Sequence, residues 1–170
     1  MISYGKQFVD KSDIKLVTKC LKSNNLTQGP FSKKFEIKLA KYLGFKHCAV
    51  VSNGTSAMFL IGKTLGWKKN DIIALPPITF LSTASVIEHL KAKPLFVDIN
   101  LENYSMCPDQ LEKELIKDKK KNIKAAVITD FGGIPADWKK FYQLKKKYNI
   151  ILINDQCHSF GSRYFSKQNY

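Results

Sequence analysis

The sequence predicts an α/β fold built on a mainly parallel sheet, and three observations carry that prediction. Short apolar runs rich in β-branched residues recur at 72–75, 94–97, 124–129 and 150–153. Between them lie stretches with apolar residues at helical spacing, long enough to cross back over a sheet. The strand runs are apolar throughout instead of alternating, as strands covered by helices on both faces are.

Element by element, Asp13 is placed to cap a first helix carrying Ile14, Val17 and Leu21, which Ser23-Asn24-Asn25 ends. A second helix follows Ser32, with Phe35, Leu39, Tyr42 and Leu43 on one face and Gly44 in C-terminal position. Residues 47–51 read as a strand, 54–65 as a helix closed by Gly66, and 72–75 as a strand. A helix over 79–90, a strand over 94–97 and a helix over 108–117 with proline in its first turn come next. The pattern ends with a strand over 124–129, a helix over 137–148 and a strand over 150–153.

At 170 residues the chain can bury roughly 70% of its unfolded surface, and 44% hydrophobic with 25% charged residues is globular, not disordered, composition. No apolar run approaches the ~20 residues of a membrane helix. The opening Met1-Ile2-Ser3-Tyr4-Gly5-Lys6 lacks the apolar centre of a signal peptide, so a cytoplasmic protein without membrane contact is expected. The formal net charge of +14 comes almost wholly from dispersed lysines, with Arg163 the only arginine. Readers of base edges lean on arginine's planar fork, so no nucleic-acid partner is expected, while an anionic small molecule suits the surface. Cys20, Cys48, Cys107 and Cys157 form no C-x-x-C pair, and no metal site follows.

Three polar segments fall where strands end, which is where ligands collect in open α/β sheets. Ser52-Asn53-Gly54-Thr55-Ser56-Ala57 leads straight into a helix and offers free amides and hydroxyls to a phosphate. Pro76-Pro77-Ile78-Thr79-Phe80 holds the chain extended and then presents a flat ring suited to stacking on an aromatic cofactor. Asp155-Gln156-Cys157-His158 puts a carboxylate at the end of an apolar strand expected to be central. A buried carboxylate there is costly unless a cation faces it, although Asp155 can also cap its own turn. An anion cradle, an aromatic plate and a carboxylate are together what pyridoxal phosphate requires.

With Leu26-Thr27-Gln28-Gly29-Pro30 and Phe96-Val97-Asp98-Ile99 added, these motifs in this order resemble the DegT/StrS-type sugar aminotransferases over essentially the whole chain. The Ser3-Tyr4-Gly5-Lys6-Gln7 opening and the Asp-x-x-His-Ser form are most like the branch serving pseudaminic-acid biosynthesis. The resemblance implies the large domain of a fold type I enzyme that uses pyridoxal 5'-phosphate. Such an enzyme moves an amino group from glutamate to a keto group of a nucleotide-linked deoxysugar, as a homodimer. It implies phosphate contacts from Gly54, Thr55, Ser56 and Ala57, stacking by Phe80, pairing of Asp155 with the ring nitrogen, and His158 beside the phenolic oxygen. Tyr4, Thr27, Gln28 and Gly29 are implied at the substrate, and the Gly132-Gly133 turn matches a family loop near the cofactor. The family's Schiff-base lysine belongs to a motif beyond the Asp-x-x-His segment, and Lys167 lacks that context. Residues 1–170 are therefore expected to be the N-terminal part of the cofactor-binding domain, without the C-terminal small domain and inactive alone. The alternative is a non-catalytic truncated product or one half of a split protein.

Overall fold

The computed structural model describes residues 6–162. They fall into two compact units, divided between Val50 and Val51.

The first unit holds α1 (Lys11–Leu21) and α2 (Pro30–Leu43). Helix α1 starts earlier than Asp13 predicts. Asp10 is the cap: its Oδ1 accepts from the amides of Ser12 (2.7 Å) and Asp13 (3.0 Å), and Asp13 reaches back to accept from the Asp10 amide. The reciprocal pairing satisfies more orphan donors than a cap at Asp13 alone. Helix α2 likewise begins before Ser32, at Pro30, whose missing N–H costs nothing in a first turn, and Gly44 closes it at φ +73°. Neither helix buries a residue. Among the described residues the strand expected at 47–51 is not present. A strand needs a ladder partner, and the Val50 amide instead donates to Glu36 Oε1 at 2.9 Å.

The second unit holds α3 (Gly54–Thr64), β1 (Ile72–Leu75), α4 (Ser82–His89), β2 (Lys93–Phe96), α5 (Pro108–Lys117), β3 (Ile123–Thr129), α6 (Trp138–Tyr148) and β4 (Ile151–Asp155). The four strands pair in parallel in the order β2-β1-β3-β4. Alternate side chains leave the sheet on opposite faces, and each face has its own core. Ile73, Leu75, Ala125, Val127 and Ile153 pack with Met58 of α3 and Val86 and Ile87 of α4. Ala74, Ala126 and Ile128 pack with Leu111 and Leu115 of α5 and Phe141 and Leu144 of α6. Ile73 and Val127 have no exposed surface, which explains why their strands read as apolar throughout.

Two expectations need correcting here. Helix α4 starts at Ser82 and not at 79, because the Thr79 hydroxyl is paired with that of Thr129 at 3.0 Å and the preceding prolines hold the chain extended. Among the described residues β4 pairs only with β3. Asp155 is half-buried and not buried as expected, whereas Asp130, just past the carboxyl end of β3, is buried.

Candidate active site

The carboxyl ends of β1, β3 and β4 and the start of α3 enclose a cavity of about 1130 Å³. Each wall is set by local chemistry. Asn53 caps α3, its Oδ1 accepting from the Ser56 amide at 2.8 Å. Among the described residues nothing accepts from the amides of Gly54 or Thr55, and both residues line the cavity. Two orphan donors at the positive end of an eleven-residue helix can receive an anion. A Cβ at Gly54 would meet only the Cys157 Sγ, at an ordinary 3.6 Å, so steric crowding does not require glycine there.

Ser56 does not reach the cavity. Its amide is held by Asn53 and its hydroxyl by Ser52 at 3.2 Å, so it braces the first turn. Ala57 lines the wall, as does Phe80, whose side chain stays 73% exposed just ahead of α4. An aromatic ring left open at a cavity wall has a face free for a ligand.

On the β4 side, the Asp155 Oδ1 accepts from the Cys157 amide at 3.1 Å, the turn-capping role, and the residue also lines the cavity. An ionised carboxylate has about four acceptor sites, so this bond leaves others free. Hydrogen bonding to that carboxylate, followed by burial, pushes the Cys157 thiol up to about 11. His158 is exposed to the cavity, and its Nδ1 accepts from the Gly132 amide at 3.2 Å. With Nδ1 as acceptor the neutral ring carries its proton on Nε2. The imidazole meets the Phe131 ring edge-on, centroids 5.6 Å apart.

Of the residues implied at the cofactor, the fold thus brings Gly54, Thr55, Ala57, Phe80, Asp155 and His158 to one cavity and leaves Ser56 behind its wall. Thr27, Gln28 and Gly29 belong to the first unit, in the turn before α2. Gln28 adopts φ +52°, and a Cβ at Gly29 would stand 2.5 Å from the Asn25 carbonyl oxygen, so that turn demands its glycine. Tyr4 and Lys167 lie outside the described residues. Sequence reasoning missed Thr129, Phe131 and Asn154, which also line the cavity. The signal for Thr129 was available: it is the first polar side chain at the end of an apolar strand.

Residues 7–169 match the DegT/DnrJ/EryC1/StrS aminotransferase family. The chain belongs to that family. Over 168 residues it is 39% identical to the UDP-4-amino-4,6-dideoxy-N-acetyl-beta-L-altrosamine transaminase of Campylobacter jejuni serotype O:23/36, covering 99% of this chain and 44% of that protein. Among solved structures it superposes on Helicobacter pylori PseC, an aminotransferase involved in the biosynthesis of pseudoaminic acid, with a TM-score of 0.85 and 31% identity. That match covers 98% of this chain and 44% of the other. The PLP-form of the putative sugar aminotransferase Spr1654 from Streptococcus pneumoniae gives a TM-score of 0.82 at 25% identity, over 94% of this chain and 44% of that one. The chain therefore spans less than half the length of the relatives it matches. The parallel sheet between helices is the large-domain architecture of fold type I enzymes, as the family resemblance implies, and the family's cofactor is pyridoxal phosphate.

Proposed function

We propose that the complete protein carrying this chain is a pyridoxal-phosphate-dependent transaminase, transferring an amino group from glutamate to a keto group of a nucleotide-linked deoxysugar in surface-polysaccharide biosynthesis. We place it in the cytoplasm as a homodimer. No helix among the described residues is long and apolar enough to cross a membrane. Family membership supports the reaction class, and similarity to nucleotide-sugar and pseudaminic-acid transaminases supports the substrate class.

The observation that carries the cofactor reading is the shared cavity: two unpartnered helix amides, an open aromatic ring and a half-buried carboxylate face one space. A phosphate on a flat, protonatable heterocycle fits each of these groups. When bound, the cofactor supplies an electron-withdrawing ring that stabilises negative charge developing on the substrate's amine-bearing carbon. The amides of Gly54 and Thr55, with the Thr55 hydroxyl, hold the phosphate at the positive end of α3. Phe80 covers one face of the ring and excludes water from it. Asp155 keeps the proton on the ring nitrogen, since a carboxylate at hydrogen-bond distance favours the charged form of the base beside it. Asp155 can do this while still holding the Cys157 amide. His158 donates from Nε2 to the phenolic oxygen and fixes the ring's rotation in the site. Thr27, Gln28, Gly29 and Tyr4 are proposed at the sugar, on the strength of the resemblance alone. No residue of this chain is assigned as the covalent lysine.

Titrating the cofactor-free complete protein with pyridoxal phosphate, followed by absorbance, tests the site. Amino transfer from glutamate to a UDP-linked keto-deoxysugar, measured by mass spectrometry, tests the reaction. Saturable binding at micromolar cofactor with turnover that Asp155→Ala lowers by roughly 10³-fold is the expected result. Normal turnover by Asp155→Ala would refute the assignment.

A further inference from the structure

Asp130 has no part in the reading above, yet its carboxylate is buried and held by four donors. Oδ1 accepts from the Ala136 amide at 3.0 Å and from Trp138 Nε1 at 3.1 Å. Oδ2 accepts from the Ser159 hydroxyl at 3.1 Å and from Asn154 Nδ2 at 3.4 Å. Among the described residues no cation forms an ion pair with it. A carboxylate that deep without a counter-ion is tolerated because its lone pairs are filled by donors.

What those donors belong to gives the arrangement its meaning. Ser159 follows His158 directly. Ala136 and Trp138 close the far end of the turn that begins at Phe131, whose Gly132 amide donates to His158 Nδ1. The same turn approaches the His158 backbone: Gly133 sits at φ +84°, and a Cβ there would stand 3.1 Å from the His158 carbonyl oxygen. The two loops that make the imidazole's seat are thus both fastened to one carboxylate, one loop to each oxygen.

We propose that Asp130 is a positioning residue for His158: by gripping the 131–138 and 154–159 loops together, it seats the imidazole with Nδ1 on the Gly132 amide and leaves Nε2–H for the cofactor. The proposal rests on the reading of the cavity as a pyridoxal-phosphate site. Asp130→Leu keeps the branched shape, with larger methyl groups in place of the oxygens, and removes every acceptor. Asp130→Asn keeps one acceptor for Ala136 and Trp138 and lets the Ser159 hydroxyl reverse its direction.

The experiment uses the cofactor-free complete protein, reading the His158 tautomer from long-range proton–nitrogen NMR correlations and then titrating with pyridoxal phosphate. In the parent protein the His158 proton resides on Nε2. In Asp130→Leu it distributes over both nitrogens and cofactor affinity falls about tenfold, whereas Asp130→Asn stays within about threefold of the parent. Ser159→Ala, a milder cut of the same tie, shifts both readouts in the same direction and serves should Asp130→Leu not fold. An unchanged tautomer and affinity in folded Asp130→Leu, or in Ser159→Ala, overturns the proposal. Failure of the parent protein to bind pyridoxal phosphate would instead overturn the reading of the cavity.

Discussion

Strands β3 and β4 run side by side and each leads into an aspartate, but the two loops treat that carboxylate in opposite ways. At the end of β3, Asp130 is 3% exposed and its lone pairs are filled from residues as distant as Ser159. At the end of β4, Asp155 is half-buried, holds the amide of its own turn and opens onto the cavity. The donors that each loop supplies account for the difference. The same residue type therefore stabilises structure in one place and stays available to a ligand in the other.

The largest expected effect that would break this contrast is on turnover. Asp155→Ala in the complete protein should lower the proposed turnover by roughly 10³-fold, the scale of losing a group that acts on developing charge, with unfolding free energy changed by no more than about 1 kcal/mol. Steady-state kinetics beside urea denaturation read both numbers, and a large stability loss with intact turnover would exchange the roles assigned to the two aspartates. The mirror experiment is Asp130→Leu. Stranding the Ala136, Trp138 and Ser159 donors should cost about 3 kcal/mol or more, read as a shifted denaturation midpoint. A cost below about 1 kcal/mol would show that these bonds do not hold the loops.

Phe80 sharpens the comparison from the ligand side. Being mostly exposed, its replacement by alanine should leave stability within about 0.5 kcal/mol. Lost stacking should weaken pyridoxal-phosphate binding by roughly 0.5–1.5 kcal/mol, or about three- to tenfold, in a fluorescence titration. Equal affinity in the variant would remove the ring from the site.

The smallest effect is on Cys157. Its thiol, pushed from an ordinary value near 9 to about 11 chiefly by the Asp155 carboxylate, is almost wholly protonated at pH 9. Asp155→Asn removes the raising charge, so the titration point falls and the thiolate fraction at pH 9 rises. A weaker base is also a poorer nucleophile, which offsets part of the gain, so alkylation at pH 9 should accelerate only about three- to fivefold. Asp130→Asn should leave that rate unchanged. Acceleration by Asp130→Asn and not by Asp155→Asn would contradict the separation of the two carboxylates.

Much of this arrangement was legible in the chain. Strand β1 and helix α5 lie on the predicted residues because proline marks a boundary of each: Pro76 follows Leu75, and Pro108 opens the helix. Gly54, Thr55, Phe80 and Asp155, which line the cavity, stand where polar or aromatic residues follow apolar runs. Residues 47–51 read as a strand only on β-branched composition, which does not supply a ladder partner. Asp130 stayed hidden for a different reason: its donors come from six to twenty-nine residues away, and a lone aspartate after a strand looks the same in sequence whether it caps a turn or anchors two loops. The Thr79–Thr129 pair, fifty residues apart, was hidden in the same way.

In the proposed enzyme Asp155 faces a protonated ring nitrogen across the cavity from the α3 amides. A crystal structure of the complete protein with pyridoxal phosphate tests it most directly. The account predicts the phosphate on the amides of Gly54 and Thr55 and a carboxylate oxygen of Asp155 within hydrogen-bond distance of the ring nitrogen. A ring nitrogen left in solvent, with Asp155 bonded only to its own turn, would contradict it.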